Sequence, residues 1–326
     1  MRIVLQKAAA NLRIAMHWGL LAAAVLFLAP SGCGNRPGSE PTDRRVTVSV
    51  PPLIEIVRGL VAPDVQVESI VPPGRTVHGF EPTPSDVASM GRSSVVVLVG
   101  AGLEGGWGEA FRRTARIGDR VVVLADLLGL EEEGHAHEHH DHDHEHEHCH
   151  SHGPVDPHVW LDPALTRAWA QALWEALPED IRADESRREA LLARIEAVHE
   201  RYKSTLEPHR GSVLVTHHNA FGRIADRYGL EIAEVVMPIE TAEPTPAQIA
   251  RVSQAVRERN VDAVLSEPQF DVRIVRRIAR AAGAPVATVD PLGADWFAMM
   301  EANLDAIDRV LAGPRDRETE AAATSP

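Results

Sequence analysis

From Arg45 to Leu311, short runs of β-branched residues alternate with helical patterns, and this alternation passes through a set of four βα units twice. In the first set the strands are expected at 45–50, 65–71, 95–99 and 121–124, with helices at 53–61 and 84–90. In the second set they are expected at 213–216, 231–237, 263–266 and 285–289, with helices at 220–228, 248–259, 272–282 and 296–311. Parallel strands need a crossover, usually a helix, so this rhythm specifies an α/β protein with two helix-covered lobes, each holding a four-stranded, mainly parallel sheet. Between the sets lies a longer helical pattern, 183–206, whose Leu191, Leu192, Ile195, Val198, Tyr202 and Leu206 recur at three- and four-residue steps. At ~1.5 Å per residue it is about 36 Å long, a rigid strut between the lobes. Gly100, Gly102, Gly105, Gly106 and Gly108 lack the spacing and place of a dinucleotide fingerprint.

Charge and the N-terminus narrow the setting. The net charge of −14 argues against a nucleic-acid partner, which selects a basic face. Two cysteines, Cys33 and Cys149, exclude a framework of several disulfides. Arg2, Lys7 and Arg13 precede an apolar run at 18–28, followed by Ala29, Pro30, Ser31 and Gly32. A basic start, a short apolar core and small residues form an export signal, and the run is short for a membrane span. Small residues directly before a lone cysteine resemble the bacterial lipoprotein signal, with Cys33 as the lipidated residue and Pro30 where that signal usually has Leu. Ordinary cleavage near Ser31 is the alternative.

Outside the His-rich run, metal-capable side chains follow strands at four places: His78, His158, the pair His217–His218, and Asp290. In parallel α/β sheets, ligands sit outside the carboxyl ends of the strands, so all four places fall on the chemically active edge, two per lobe. Three imidazoles and one carboxylate suit tetrahedral Zn²⁺. Singly, each His also fits a surface position, and Asp290 also fits a turn cap before Pro291.

These residues lie in motifs at 72–86 (PPGRTVHGFEPTPSD), 156–163 (DPHVWLDP), 216–230 (THHNAFGRIADRYGL), 240–249 (ETAEPTPAQI), 266–270 (SEPQF) and 289–293 (VDPLG). In that order they resemble the metal-binding class of solute-binding proteins of ABC transporters, especially its zinc-uptake, ZnuA-like branch. The resemblance spans 46–311. It implies two βα lobes joined by a long helix, with the metal at their interface. It places the ligands on His78, His158, His218 and Asp290, with His217 as a neighbour. Val77 stands where the family usually has Pro. Similar manganese binders commonly have Glu at the third position. His218 favours Zn²⁺ over Mn²⁺ because imidazole suits zinc and oxygen ligands suit harder metals.

Residues 134–152 (GHAHEHHDHDHEHEHCHSH) hold ten imidazoles and five carboxylates in nineteen positions. Nothing larger than Ala136 is apolar there, so the segment cannot bury itself and is expected to be a loop. The alternative to an inert repeat is a weak auxiliary metal collector built from His135, His137, His139, His140, His142, His144, His146, His148, His150 and His152. Its two HExxH matches, starting at His144 and His146, follow from composition, because no amphipathic helix surrounds them.

The expected organisation is a signal at 1–32, a tether at 33–44, an N-terminal lobe at 45–182, a linking helix at 183–207, a C-terminal lobe at 208–312 and a polar tail at 313–326. The expected function is that of an exported, non-enzymatic, monomeric receptor. It captures Zn²⁺ outside the cytoplasmic membrane, is held there only by a lipid anchor, and delivers its cargo to an ABC permease. A metal-dependent hydrolase with an open zinc site and a metal-binding adhesin or sequestration protein without a transporter are the alternatives.

Overall fold

The computed structural model describes residues 43–114, 120–130, 155–238 and 244–313. The export signal, Cys33, the His-rich segment with Cys149, and residues 314–326 lie outside them.

The first sheet contains β1 (Asp43–Val48), β2 (Gln66–Ser69), β3 (Ser93–Leu98) and β4 (Val121–Val123), in the order β2-β1-β3-β4. The second contains β5 (Val213–Thr216), β6 (Glu231–Val235), β7 (Ala263–Ser266) and β8 (Val286–Thr288), in the order β6-β5-β7-β8. Every strand pairing within these two sheets is parallel. In both sheets the chain passes first to one side and then to the other, so the strand order reverses between β1 and β3 and between β5 and β7. That reversal opens a crevice at the carboxyl ends, the usual ligand position of such sheets. Central strands such as β3 and β7 are buried along nearly their whole length, which explains their continuous apolar sequences.

The helices are α1 (Leu53–Leu60), α2 (Pro84–Met90), α3 (Gly105–Thr114), α4 (Leu124–Leu127), α5 (Pro163–Ala176), α6 (Glu185–Leu206), α7 (Gly222–Tyr228), α8 (Pro246–Glu258), α9 (Val272–Ala282) and α10 (Trp296–Ala312). Helix α6 is the link. It starts at Glu185 rather than 183 because the Asp184 side chain caps it, accepting from Arg187 N at 2.9 Å. Helix α7 starts two residues later than its sequence pattern, since 217–221 forms the bend that carries the histidine pair. It ends on Gly229 in the left-handed region at φ 76°, where glycine carries no Cβ penalty.

Helices α3, α4 and α5 have no counterpart in the sequence reading. Three glycines open α3 and obscure it. Helix α5 is specified at its start: Pro163 occupies the first turn, and the buried Asp162 carboxylate accepts from Ala164 N and Leu165 N.

One apolar core runs from the first sheet through Trp160, Trp169 and the buried face of α6 to Trp296, Leu304 and Ile307 of α10. A smaller one, including Val215, Val252, Val264 and Ile278, lies between the second sheet and helices α8 and α9. Helix α6 is fixed to α10 by Tyr202 Oη, which donates to Met300 O at 2.7 Å, and by Arg194, whose guanidinium lies 3.8 Å from the Phe297 ring centre. Trp160 and Trp296 are fully buried and clasp reciprocally. Trp160 Nε1 donates to Pro291 O, and Trp296 Nε1 donates to Trp160 O, both at 2.7 Å. Opening this seam would strand two indole N–H groups and expose two indole faces.

Candidate metal centre

His218 stands two residues beyond β5 and Glu267 one residue beyond β7, on either side of the reversal in the second sheet. His78 comes from the loop after β2, and His158 from the turn before a 3₁₀ element, Val159–Leu161, that leads into α5. The fold brings His78, His158 and His218 together, with one ring nitrogen from each lying within 4.8 Å of the others. His158 and His218 are buried, and His78 is half-buried. Val77, the departure from the motif, is buried in the core beside His78.

One pair of facing ring nitrogens decides what this cluster can hold. His158 Nε2 and His218 Nε2 face each other at 3.3 Å. Nitrogens bound to one zinc at about 2.0–2.1 Å in a tetrahedral shell stand about 3.3–3.4 Å apart, so the two rings already have the separation of neighbouring ligands. The cavity they line with His78 has a volume of about 10 Å³, room for about one water-sized sphere. A larger groove leads outward past Phe80, Trp107 and Asn219.

Each buried ring is oriented from behind. Asp156 Oδ1 lies 2.7 Å from His158 Nδ1 and also accepts from His158 N at 2.9 Å. Glu267 Oε2 lies 2.5 Å from His218 Nδ1, and Oε1 accepts from His218 N at 3.1 Å. A carboxylate on Nδ1 places the proton there and leaves Nε2 with its lone pair toward the cavity. Burial works to raise the pKa of Asp156, but its bonds to His158, the His158 charge and Arg223 outweigh that, and the carboxyl is held below its ordinary value.

Glu267 belongs to the SEPQF motif, but nothing in the sequence marks it as a partner of His218. Its partner is 49 positions away, and only the pairing of β5 with β7 makes them neighbours. Asp156 and Glu267 place two negative charges directly behind the imidazoles, so a bound dication does not depend on a charged ligand alone.

Asp290 stands apart from the triad. Its Oδ1 accepts from Gln269 Nε2 at 2.6 Å and from Leu292 N at 2.9 Å, and its backbone is clasped by Asn303 through both N–H and C=O. Gln269 lines the small cavity, and its Oε1 is buried with no hydrogen-bond partner among the described residues. His217 is buried, with its ring 4.9 Å from that of Phe270 and outside the triad. Glu81 is exposed on the wall of the outer groove. The ten histidines of 134–152 lie outside the described residues.

Residues 46–310 match the family described as zinc-uptake complex component A, periplasmic (ZnuA). The chain belongs to this family. A curated family relative, the high-affinity zinc uptake system protein ZnuA of Bacillus subtilis (strain 168), is 27% identical over 312 residues, covering 89% of this chain and 96% of its own. A crystal structure of ZnuA superposes with a TM-score of 0.65 at 24% identity, covering 82% of this chain and 98% of that one. The periplasmic zinc-binding protein TroA of Treponema pallidum gives a TM-score of 0.68 at 20% identity, covering 82% and 99%. At these identities the two structures establish the shared fold. Among the described residues, no helix is long and apolar enough to cross a membrane.

Proposed function

We propose that this protein is the extracytoplasmic receptor of a zinc importer. It takes Zn²⁺ into the three-histidine pocket and passes it to an ABC permease in the membrane. The observation that carries this reading is the 3.3 Å separation of two Nε2 atoms, each ring backed by a carboxylate, in a cavity sized for one ion. Imidazole nitrogens favour Zn²⁺ over harder cations such as Mn²⁺. The relative named above is described as part of a zinc uptake system, which supports the same cargo.

In this reading His78, His158 and His218 hold the ion, and Asp290 completes the shell by exchanging its bonds to Gln269 and Leu292 N for the metal. Four protein ligands leave no position for an activated water, so the centre binds and releases rather than catalyses. Cys33 carries the lipid that keeps the receptor at the membrane. The His-rich segment at 134–152 gathers metal weakly, and in the chain it shortly precedes Val155 and Pro157, which line the groove.

The test is metal content and calorimetry on metal-stripped protein. One tight Zn²⁺ per chain is expected, lost in His158→Ala and His218→Ala. Tight binding that survives both substitutions would refute the assignment.

A further inference from the structure

Helix α7 carries more than its place in the sheet requires. It follows the bend that presents His218, and two of its arginines, Arg223 and Arg227, reach the segment that carries His158. Arg223 Nε donates to Asp156 O at 3.1 Å, its Nη2 donates to the same oxygen, and its Nε lies 3.8 Å from Asp156 Oδ2. One turn later, Arg227 Nε lies 2.5 Å from Asp162 Oδ1. Asp156 orients the His158 ring, and Asp162, 3% exposed, caps α5 just beyond the 3₁₀ turn. The two guanidiniums therefore hold both ends of the short segment 156–162 that bears His158.

We propose that Arg223 and Arg227 are positioning residues for the metal centre, and that α7 acts as a bracket fixing His158 against His218. The inference rests on the three-histidine reading above. Residues four apart lie on one face of a helix, so a single rigid element sets both contacts. His218 precedes the same helix and is joined to it by 219–221. The distance between His158 and His218 is thus governed by α7 rather than by two independent loops. A ring displaced by an ångström loses its share of a tetrahedral shell, and partners that orient ligands typically change metal affinity by about 10–100-fold. Arg223 is half of this device because it fixes Asp156 through the carbonyl while leaving Oδ1 to the imidazole. Arg227 is the other half because its partner is buried and already engaged with the start of α5.

The experiment compares Arg223→Met, Arg227→Met, the double variant and Arg223→Lys with the wild-type protein. Zinc affinity is read by competition with a chromophoric chelator, and metal-free melting by circular dichroism. The Co²⁺-loaded visible spectrum reports ligand geometry. Arg201→Met is the reference for a lost ion pair away from the centre, since Arg201 pairs with Glu301 and Asp305 on α10. Arg223→Met is expected to weaken zinc about 10-fold and the double variant about 100-fold, with altered Co²⁺ bands. Arg223→Lys, which keeps a donor for the Asp156 carbonyl, is expected to restore part of the loss. Arg201→Met is expected to keep wild-type affinity and spectrum.

Unchanged affinity in the double variant overturns the bracket. So does an affinity loss with unchanged Co²⁺ bands and no rescue by Lys, because that pattern is general destabilisation. Retention of zinc by His158→Ala in the same series would remove the three-histidine reading and the bracket with it. Loss in His158→Ala with no effect of the arginines removes the bracket alone.

Discussion

Glu267→Gln is the substitution whose consequence follows most directly from the geometry. Two His218 nitrogens converge on this buried carboxylate: the backbone N–H donates to Oε1, and Nδ1 stands 2.5 Å from Oε2. A carboxylate accepts both, whereas an amide of the same shape has one acceptor oxygen and a donor NH₂. If the amide oxygen serves the backbone N–H, its NH₂ faces Nδ1. The imidazole must then move its proton to Nε2, the atom meant for the metal. If the amide oxygen serves Nδ1, the backbone N–H meets another donor. Glu267 is 2% exposed, so water cannot repair either arrangement. An unsatisfied buried donor costs about 1–3 kcal/mol, which lowers metal-free melting by a few degrees in a chain of this size. Losing the orienting carboxylate costs zinc affinity about 10–100-fold, or about 1.4–2.7 kcal/mol. Chelator competition on metal-stripped protein measures the second effect. Glu104→Gln provides the matched comparison. That buried carboxylate accepts two backbone N–H groups, from Val99 at 2.7 Å and Gly100 at 2.9 Å, but orients no histidine among the described residues. It is expected to affect melting and leave zinc affinity in place. A Glu267→Gln protein binding zinc as tightly as wild type would show that His218 needs no partner on Nδ1.

Three further outcomes are expected. Asp290→Asn keeps the shape of the side chain but removes its charge, so zinc should bind roughly tenfold more weakly and leave faster to a chelator; stopped-flow release at wild-type speed would exclude Asp290 from the shell. Because protons compete with metal for imidazole, whose ordinary pKa is about 6.5, zinc affinity should fall steeply as pH drops from about 7 to 5. The lowered pKa of Asp156 keeps it a carboxylate throughout that range, since the contribution of such a group is lost only as pH falls below the ordinary carboxylate value of about 3.9. A flat calorimetric profile from pH 7 to 5 would point to carboxylate ligands. Deleting 134–152 should leave one tight site and abolish weaker binding, as read from zinc stoichiometry; complete loss of binding would place the main site in the deleted segment.

The sequence alone determined the two-lobed α/β plan, because β-branched runs separated by helical periods leave a parallel sheet as the way to pair the strands. It also singled out His78, His158 and His218, which the fold brings together, and Asp290, which the fold holds on Gln269 and Leu292 instead. It did not reveal α5, whose start depends on the Asp162 cap. Nor did it show that Asp156 and Glu267 stand behind the imidazoles. Asp156 lies two positions from His158 in one motif, but neither spacing says where the carboxylate stands relative to the ring. Glu267 meets His218 because β7 pairs with β5. Trp160 meets Pro291 across 131 positions because one core continues from the first sheet to α10. Tertiary structure alone decided that Asp290 is bonded to Gln269 while the three imidazoles cluster without it, and that α7 grips the segment of His158. Local sequence sets which backbone forms and which side chains are available. Of the contacts that aim those side chains, Asp156 with His158 is local, whereas Glu267 with His218 joins positions 49 apart and is chosen by packing.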